Sequence, residues 1–196
     1  MSLTVIKIGG SLFDHPRLGP GLREWLTLRL VADHDERLLL LPGGGPIADT
    51  IRDLDRIHQL GDEIAHWLAI GTLRITAKFL SALLPNIPII VDPTTIPVGC
   101  RIAIVNADAF LCLDEANPDH LPHTWAVTSD AIAARVAHIA GADRLVLFKS
   151  TSIEPDTDWN DSAERGIVDP TFPHAIAHRT MTVEVLDFRA WLHSAG

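Results

Sequence analysis

The chain has 196 residues, 47% of them hydrophobic and 21% charged, with two cysteines and a formal charge of −9. No Lys/Arg cluster offsets that acidity, so a phosphate backbone would be repelled over most of the surface and nucleic acid is not an expected partner; a few well-placed cations can still hold a small anion. No apolar run is long enough for a membrane span and no basic-then-apolar leader opens the chain, so a cytoplasmic protein with reduced thiols is expected.

The elements follow in chain order. Residues 4–8 read as a strand, 22–32 as a helix with apolar positions on one face, and 37–41 as a buried strand that is nearly all leucine. Buried parallel strands read as continuous apolar runs, and the Pro-Gly turn behind this one ends it. Residues 47–60 carry helical spacing. Residues 62–84 form a long helix, weakened at Gly71 and stopped by Pro85. Strands are expected at 87–91 and 101–105, a strong helix over Ser129–Ala140 ended by Gly141, and a strand at 145–148. Residues 151–165 are polar and acidic without a clear period and read as a long loop or lid. A strand at 182–186 and a short helix at 188–193 close the chain. Strand and helix in alternation predict an α/β sheet, mostly parallel and covered on both faces, with its ligand at the carboxyl ends of the strands.

Two glycine-rich turns each follow a buried strand: Gly9-Gly10-Ser11, and Gly43-Gly44-Gly45 between Pro42 and Pro46. Glycine lets several backbone N–H groups point one way and leaves no Cβ in a ligand's path. A helix start beyond the turn adds partial positive charge. The expected ligand is an oxyanion, and two cradles at one sheet edge suggest two anions or two parts of one reacting pair. The plainer alternative is two tight strand–helix turns that bind nothing. Lys7, inside the first strand, favours the anion reading, because a buried ammonium needs partners. Neither a dinucleotide fingerprint nor a P-loop is present.

The order Lys7-Ile8-Gly9-Gly10-Ser11, then Pro42-Gly43-Gly44-Gly45, then Thr128-Ser129-Asp130 at a helix start resembles the amino acid kinase family. That resemblance implies a three-layer α/β/α sandwich in one domain over residues 1–196, with an acceptor lobe over about 1–125 and a nucleotide lobe over about 126–196. It also implies transfer of the γ-phosphoryl of ATP, with Mg²⁺, to a carboxylate, carbamate or phosphate, and association into a homo-oligomer through helices such as 62–84. In that reading Lys7 neutralises charge on the transferring group, while Gly9, Gly10 and Ser11, with Thr128 and Ser129, bind ATP. Gly43, Gly44 and Gly45 hold the acceptor. Asp130 orients Lys7 and helps place Mg²⁺; its plainer role is to cap the helix. Asp169 touches the nucleotide or metal, or is a turn acid before Pro170.

Larger members carry a second lysine in a late glycine-rich segment. Here that segment reads Gly166-Ile167-Val168-Asp169-Pro170, and Lys149 is the substitute cation or else a tether to the acidic loop. The stretches TWAVTSDAIAA, LVLFKS and GIVDPTFP resemble a compact subgroup of the family, the kinases of methanofuran biosynthesis. That subgroup implies a phosphorylated small molecule, [5-(aminomethyl)furan-3-yl]methyl phosphate, as acceptor and a diphosphate as product. The alternatives are a carboxylate or carbamate kinase and a non-catalytic oxyanion-storage protein.

Asp49, Asp53, His58, His66 and Trp67 lie on helices able to line the acceptor pocket. Trp125 is a core anchor or an adenine-stacking ring. His120-x-x-His123 lacks the helix and glutamate of a zinc hydrolase motif, so these read as surface histidines and no metal ligand is assigned.

Overall fold

A computed structural model of the chain describes residues 2–152, 158–177 and 180–194. Six strands form one sheet: β1 (Leu3–Ile8), β2 (Arg37–Pro42), β3 (Ile89–Ile90), β4 (Ile102–Val105), β5 (Arg144–Lys149) and β6 (Thr182–Asp187). The order across the sheet is β3-β4-β2-β1-β5-β6, and every pairing is parallel. The sheet is therefore wholly parallel where the sequence suggested mostly so. Helices α1 (Leu18–Ala32), α2 (Gly45–His58), α3 (Asp62–Leu83), α4 (Ala107–Asp114), α5 (Ser129–Ala140), α6 (Trp159–Glu164), α7 (Phe172–Ile176) and α8 (Phe188–Ser194) complete it. Among the described residues, no helix is long and apolar enough to cross a membrane.

The period of two along each strand sorts the core into two layers. Val5, Leu39, Leu41, Leu145 and Leu147 face one way, against Ala131, Ile132 and Ala134 of α5 and Ile70 and Leu73 of α3. Ile6, Ile8, Leu38, Leu40, Val146 and Phe148 face the other, against α1, α8 and the later turns of α3. Phe148 stacks on Phe188 at 4.3 Å and meets Trp25 edge-on at 4.9 Å. Both faces are buried, which is why the strands read as solid apolar runs rather than alternating ones.

Several elements differ from the sequence reading for local reasons. Helix α1 starts at Leu18 rather than 22. Its first turn contains Gly19-Pro20-Gly21, which reads as loop, yet proline is tolerated in a first turn. A Cβ on Gly21 would lie 2.1 Å from Leu192, so this glycine admits α8 against α1. The strand expected at 87–91 shortens to Ile89–Ile90 at the sheet edge, where Pro88 has no N–H for a ladder but accepts from Ile104 N at 2.8 Å. Helix α4 was not anticipated; Asn106 caps it by accepting from Ala109 N. Helix α7 was likewise not anticipated. Helix α3 runs unbroken through Gly71. The supposed loop 151–165 contains α6, capped by Asp158; its part at 153–157 lies outside the described residues.

Sheet order places the site. After β1 the chain crosses to β2 on one side, and after β5 it crosses to β6 on the other. The carboxyl ends of adjacent β1 and β5 thus form the topological switch point, where open α/β sheets leave a crevice.

Candidate active site

A cleft of about 580 Å³ opens at that point, lined by Lys7, Gly9, Gly10 and Ser11 after β1, Gly44 and Gly45 after β2, and Lys149, Ser150 and Thr151 after β5. Helix α2 contributes Ala48, Asp49 and Arg52; α3 contributes Ala69, Ile70 and Leu73; the stretch before α5 contributes Trp125, Val127, Thr128 and Ser129. Arg165, Gly166 and Ile167 close the rim.

Register explains the lysines. Lys7 pairs with Leu147 across β1 and β5, so Lys149, two residues further on, points to the same face. That face carries α5, whose first turn brings Asp130. Lys7 Nζ lies 2.9 Å from Asp130 Oδ1, and Lys149 Nζ lies 2.6 Å from Asp130 Oδ2. Lys149 also donates to the Ile167 carbonyl at 2.7 Å. Among the described residues, Oδ1 receives no aligned hydrogen bond and is held by charge alone. Burial opposes ionisation of Asp130, but the two ammonium groups prevail and hold its carboxyl below the ordinary range. Burial, and then the neighbouring Lys7 charge, push the Lys149 ammonium down.

The capping role considered for Asp130 falls instead to Asp169. Its Oδ2 accepts from Thr128 N, Thr128 Oγ1 and Ala131 N at 3.1, 2.9 and 2.9 Å, and Oδ1 accepts from Thr171 Oγ1 at 2.9 Å. Asp169 is buried, which pushes its pKa up despite these donors. It stands behind the α5 start rather than on the cleft wall. Helix α2, by contrast, has no side-chain cap. Its orphan N–H groups open beside Gly44 and Gly45, where an anion can meet them.

The glycines divide by task. The Gly9 N–H donates to the Phe148 carbonyl and the Gly43 N–H to the Ile8 carbonyl, both at 2.9 Å, so neither is free for a phosphate. Gly43 is not among the residues lining the cleft, and a Cβ there would lie 2.9 Å from Ser129 Oγ, so its missing side chain admits the start of α5. A Cβ on Gly10 would lie 2.4 Å from both Cα and N of Gly45. The two glycine loops therefore touch backbone to backbone. Gly45 has φ +57°, the left-handed region that favours glycine. Ser11 Oγ meets Ser150 Oγ at 3.0 Å on the rim.

Other sequence candidates scatter. Asp49 lines the cleft, while Asp53 pairs with Arg56 on the exposed side of α2 and His58 is exposed. His66 and Trp67 gather with His123 instead. Trp125 is cleft wall, not core: its Nε1 donates to Asp55 at 2.8 Å and Arg52 lies over its ring at 4.8 Å. The partners of Lys149 among the described residues are Asp130 and Ile167, while part of the acidic loop considered as its tether, 153–157, lies outside them. The sequence reading missed Arg52 and Arg165. Neither stands in a motif, and the available signal for Arg52 was only its position one helical turn beyond Ala48 and Asp49.

The site thus combines an all-parallel α/β sheet with two touching glycine loops and a bridged lysine pair at its switch point. The chain belongs to the amino acid kinase family, whose model matches residues 2–153. It is 22% identical to the [5-(aminomethyl)furan-3-yl]methyl phosphate kinase of Methanocaldococcus jannaschii, over 94% of this chain and 88% of that one. Among solved structures it resembles the uridylate kinase of Archaeoglobus fulgidus, with TM-score 0.60 and 15% identity over 95% of this chain and 90% of that one. It also resembles the UMP kinase of Bacillus anthracis, with TM-score 0.63 and 15% identity over 95% and 87%. Family membership supports a phosphotransferase.

Proposed function

We propose that this protein is an ATP-dependent kinase that moves the γ-phosphoryl group onto a phosphate monoester, giving a diphosphate and ADP. The carrying observation is the Lys7–Asp130–Lys149 bridge at the ends of β1 and β5, in the cleft that the glycine loops also line. The phosphorus–oxygen bond to the β-phosphate breaks as a bond forms to an acceptor phosphate oxygen. Such a transfer needs alignment and charge neutralisation more than covalent help. An ionised phosphate oxygen carries no proton, so no general base is required. That suits a cleft wall whose only carboxylate, among the described lining residues, is Asp49.

ATP phosphates lie along Gly10 and Ser11 in this reading, and the acceptor phosphate at Gly44, Gly45 and the uncapped start of α2. Lys7 and Lys149 flank the transferring group. Asp130 fixes both ammonium groups and offsets their desolvation, so they need not reorganise as charge builds. Mg²⁺ enters as part of the substrate, MgATP, bound mainly by phosphates and water. Asp130 is a poor direct ligand for it, because each carboxylate oxygen already faces an ammonium.

For the acceptor we favour [5-(aminomethyl)furan-3-yl]methyl phosphate, the compound in the relative's name. Arg52 with the α2 N-terminus suits its phosphate, Asp49 its aminomethyl cation and Trp125 its ring. Assembly of copies through α3, in the cytoplasm, belongs to the same proposal; Ile64, Leu68, Ile75 and Phe79 stand exposed on that helix.

The test is incubation with MgATP and a panel of phosphorylated small molecules including this one, following ADP release and product mass. A product heavier by one phosphoryl group on an existing phosphate is expected. A product trapped by hydroxylamine would make it an acyl phosphate and the protein a carboxylate or carbamate kinase. Tight phosphate binding without any turnover would mark a storage protein.

A further inference from the structure

Away from the cleft, α3, α4 and the segment between α4 and α5 meet in a cluster of imidazoles and carboxylates. His123 sits between two of them: its Nδ1 lies 2.7 Å from Glu63 Oε2 and its Nε2 lies 3.0 Å from Glu115 Oε1. His120 Nδ1 lies 3.6 Å from the same Glu115 oxygen. Candidate donor atoms of Glu115, His120 and His123 all fall within 4.8 Å of one another.

We propose that Glu115, His120 and His123 form a site for a divalent transition-metal ion of the zinc type, which clamps the segment carrying Trp125 and Thr128 against α3 and α4.

Three observations carry this. The first is spacing. A tetrahedral site with bonds of about 2.0–2.1 Å has donor–donor edges of about 3.3–3.4 Å, and the two separations from Glu115 Oε1, 3.0 and 3.6 Å, bracket that value. The second is the support behind His123. A metal-bound imidazole ordinarily donates its other N–H to a carboxylate, and Glu63 stands at Nδ1 for that purpose. Glu63 is itself oriented, since its Oε1 accepts from Trp67 Nε1 at 3.0 Å. The ring plane is set by His66, stacked at 5.0 Å and 20°, and by Trp67, edge-on at 5.0 Å.

The third is the donor chemistry. Two imidazoles and one carboxylate suit zinc, cobalt or nickel, whereas magnesium and calcium prefer oxygen throughout. The sequence motif lacked a glutamate; the fold supplies one from the end of α4, five residues before His120. Without an ion, the His123 ring stands between the Glu63 and Glu115 carboxylates, one at each nitrogen. The ion replaces the Nε2 proton, which is released, and His120 turns from the Leu121 carbonyl to the metal with its ring proton moved from Nδ1 to Nε2. His120 and Glu115 keep 36% and 34% of their side-chain surface exposed, so the ion has a path in and water can take the fourth position.

Titration of the untagged protein with Co²⁺, followed by visible absorption, tests this independently of kinase activity. One Co²⁺ per chain is expected, with the intense bands of a four- or five-coordinate site, displaced by Zn²⁺. His120→Ala and Glu115→Gln should each lose it, with far-UV circular dichroism showing the fold retained. Glu63→Gln keeps every ligand but removes the carboxylate behind His123, so its affinity should fall by about 10–100-fold. A wild-type protein showing no saturable Co²⁺ spectrum would overturn the site without recourse to any variant. Binding that survives His120→Ala combined with His123→Ala would overturn it equally.

Discussion

Lys149 Nζ rests 2.6 Å from Asp130 Oδ2, and the other oxygen of that carboxylate rests 2.9 Å from Lys7. One buried acid from a helix start thus ties the ends of two neighbouring strands. Its two cations sit side by side in a nearly dry site, where each would otherwise raise the cost of the other.

Lys7→Ala removes the cation at the end of β1 while Asp130 keeps Lys149 as its partner. Turnover should fall by on the order of 10²-fold or more, as for loss of a preorganised transition-state stabiliser, with the fold intact. ADP release under saturating substrate measures it. Activity near wild type would remove Lys7 from the mechanism.

Lys149→Met separates a catalytic cation from one that only holds Asp130 and the Ile167 carbonyl together. Loss of turnover per folded molecule identifies it as the counterpart of the family's late lysine. If only the unfolding midpoint falls while turnover per folded molecule holds, Lys149 serves the Asp130 and Ile167 contacts alone.

Asp130→Ala leaves two buried ammonium groups without their shared counter-ion. Breaking a buried ion pair from one side costs about 3–5 kcal/mol, read from urea unfolding. The effect is pH-dependent with a definite sign. Because the folded pKa lies below the ordinary 3.8, the stabilising contribution is complete above that value and is lost as pH falls through the lower folded value. The wild-type advantage over Asp130→Ala should therefore hold from neutrality down to about pH 4 and shrink below it. Asp169 has the opposite sign. Its raised pKa means that the folded chain gains stability from this group as pH falls from the folded value towards 3.8.

Gly10→Ala places a methyl 2.4 Å from the Gly45 backbone. Neither atom it meets belongs to a flexible side chain, so the loops must separate. A loss of about 1–3 kcal/mol is expected, together with weaker nucleotide binding, because the cradles would lose their shared wall. Isothermal titration with a non-hydrolysable ATP analogue reads the second effect. Unchanged affinity would mean that Gly10 serves packing only.

Much of the fold was legible because it is written locally. Leucines 38–41 and the apolar runs of β1 and β5 announce a doubly covered sheet, and the glycine loops after Ile8 and Pro42 announce tight strand–helix turns. The start at Leu18 and the helix at Ala107 were hidden for equally local reasons, since Gly-Pro-Gly imitates a loop and a lone Asn cap is a weak signal. The site was legible as a set of residues but not as a set of partners. Lys149 could be read as a substitute cation or as a tether to the acidic loop. Asp130 could be an ion-pair partner or a cap, and Asp169 a ligand contact or a turn acid.

What the sequence by itself determined is the chemistry on offer: a lysine in a buried strand, two glycine turns, an acid at a helix start. Side-chain type and the periods of helix and strand settle these within a few residues. What only the tertiary structure decided is who meets whom. The order β2-β1-β5 and the register of Lys7 with Leu147 bring Lys149 to Asp130, set Gly10 on Gly45, and put Asp169 behind α5. Those pairings reach across up to about 140 residues of chain, from Lys7 to Leu147. No local preference encodes them, because the sheet order that creates them is chosen by burial summed over the whole core.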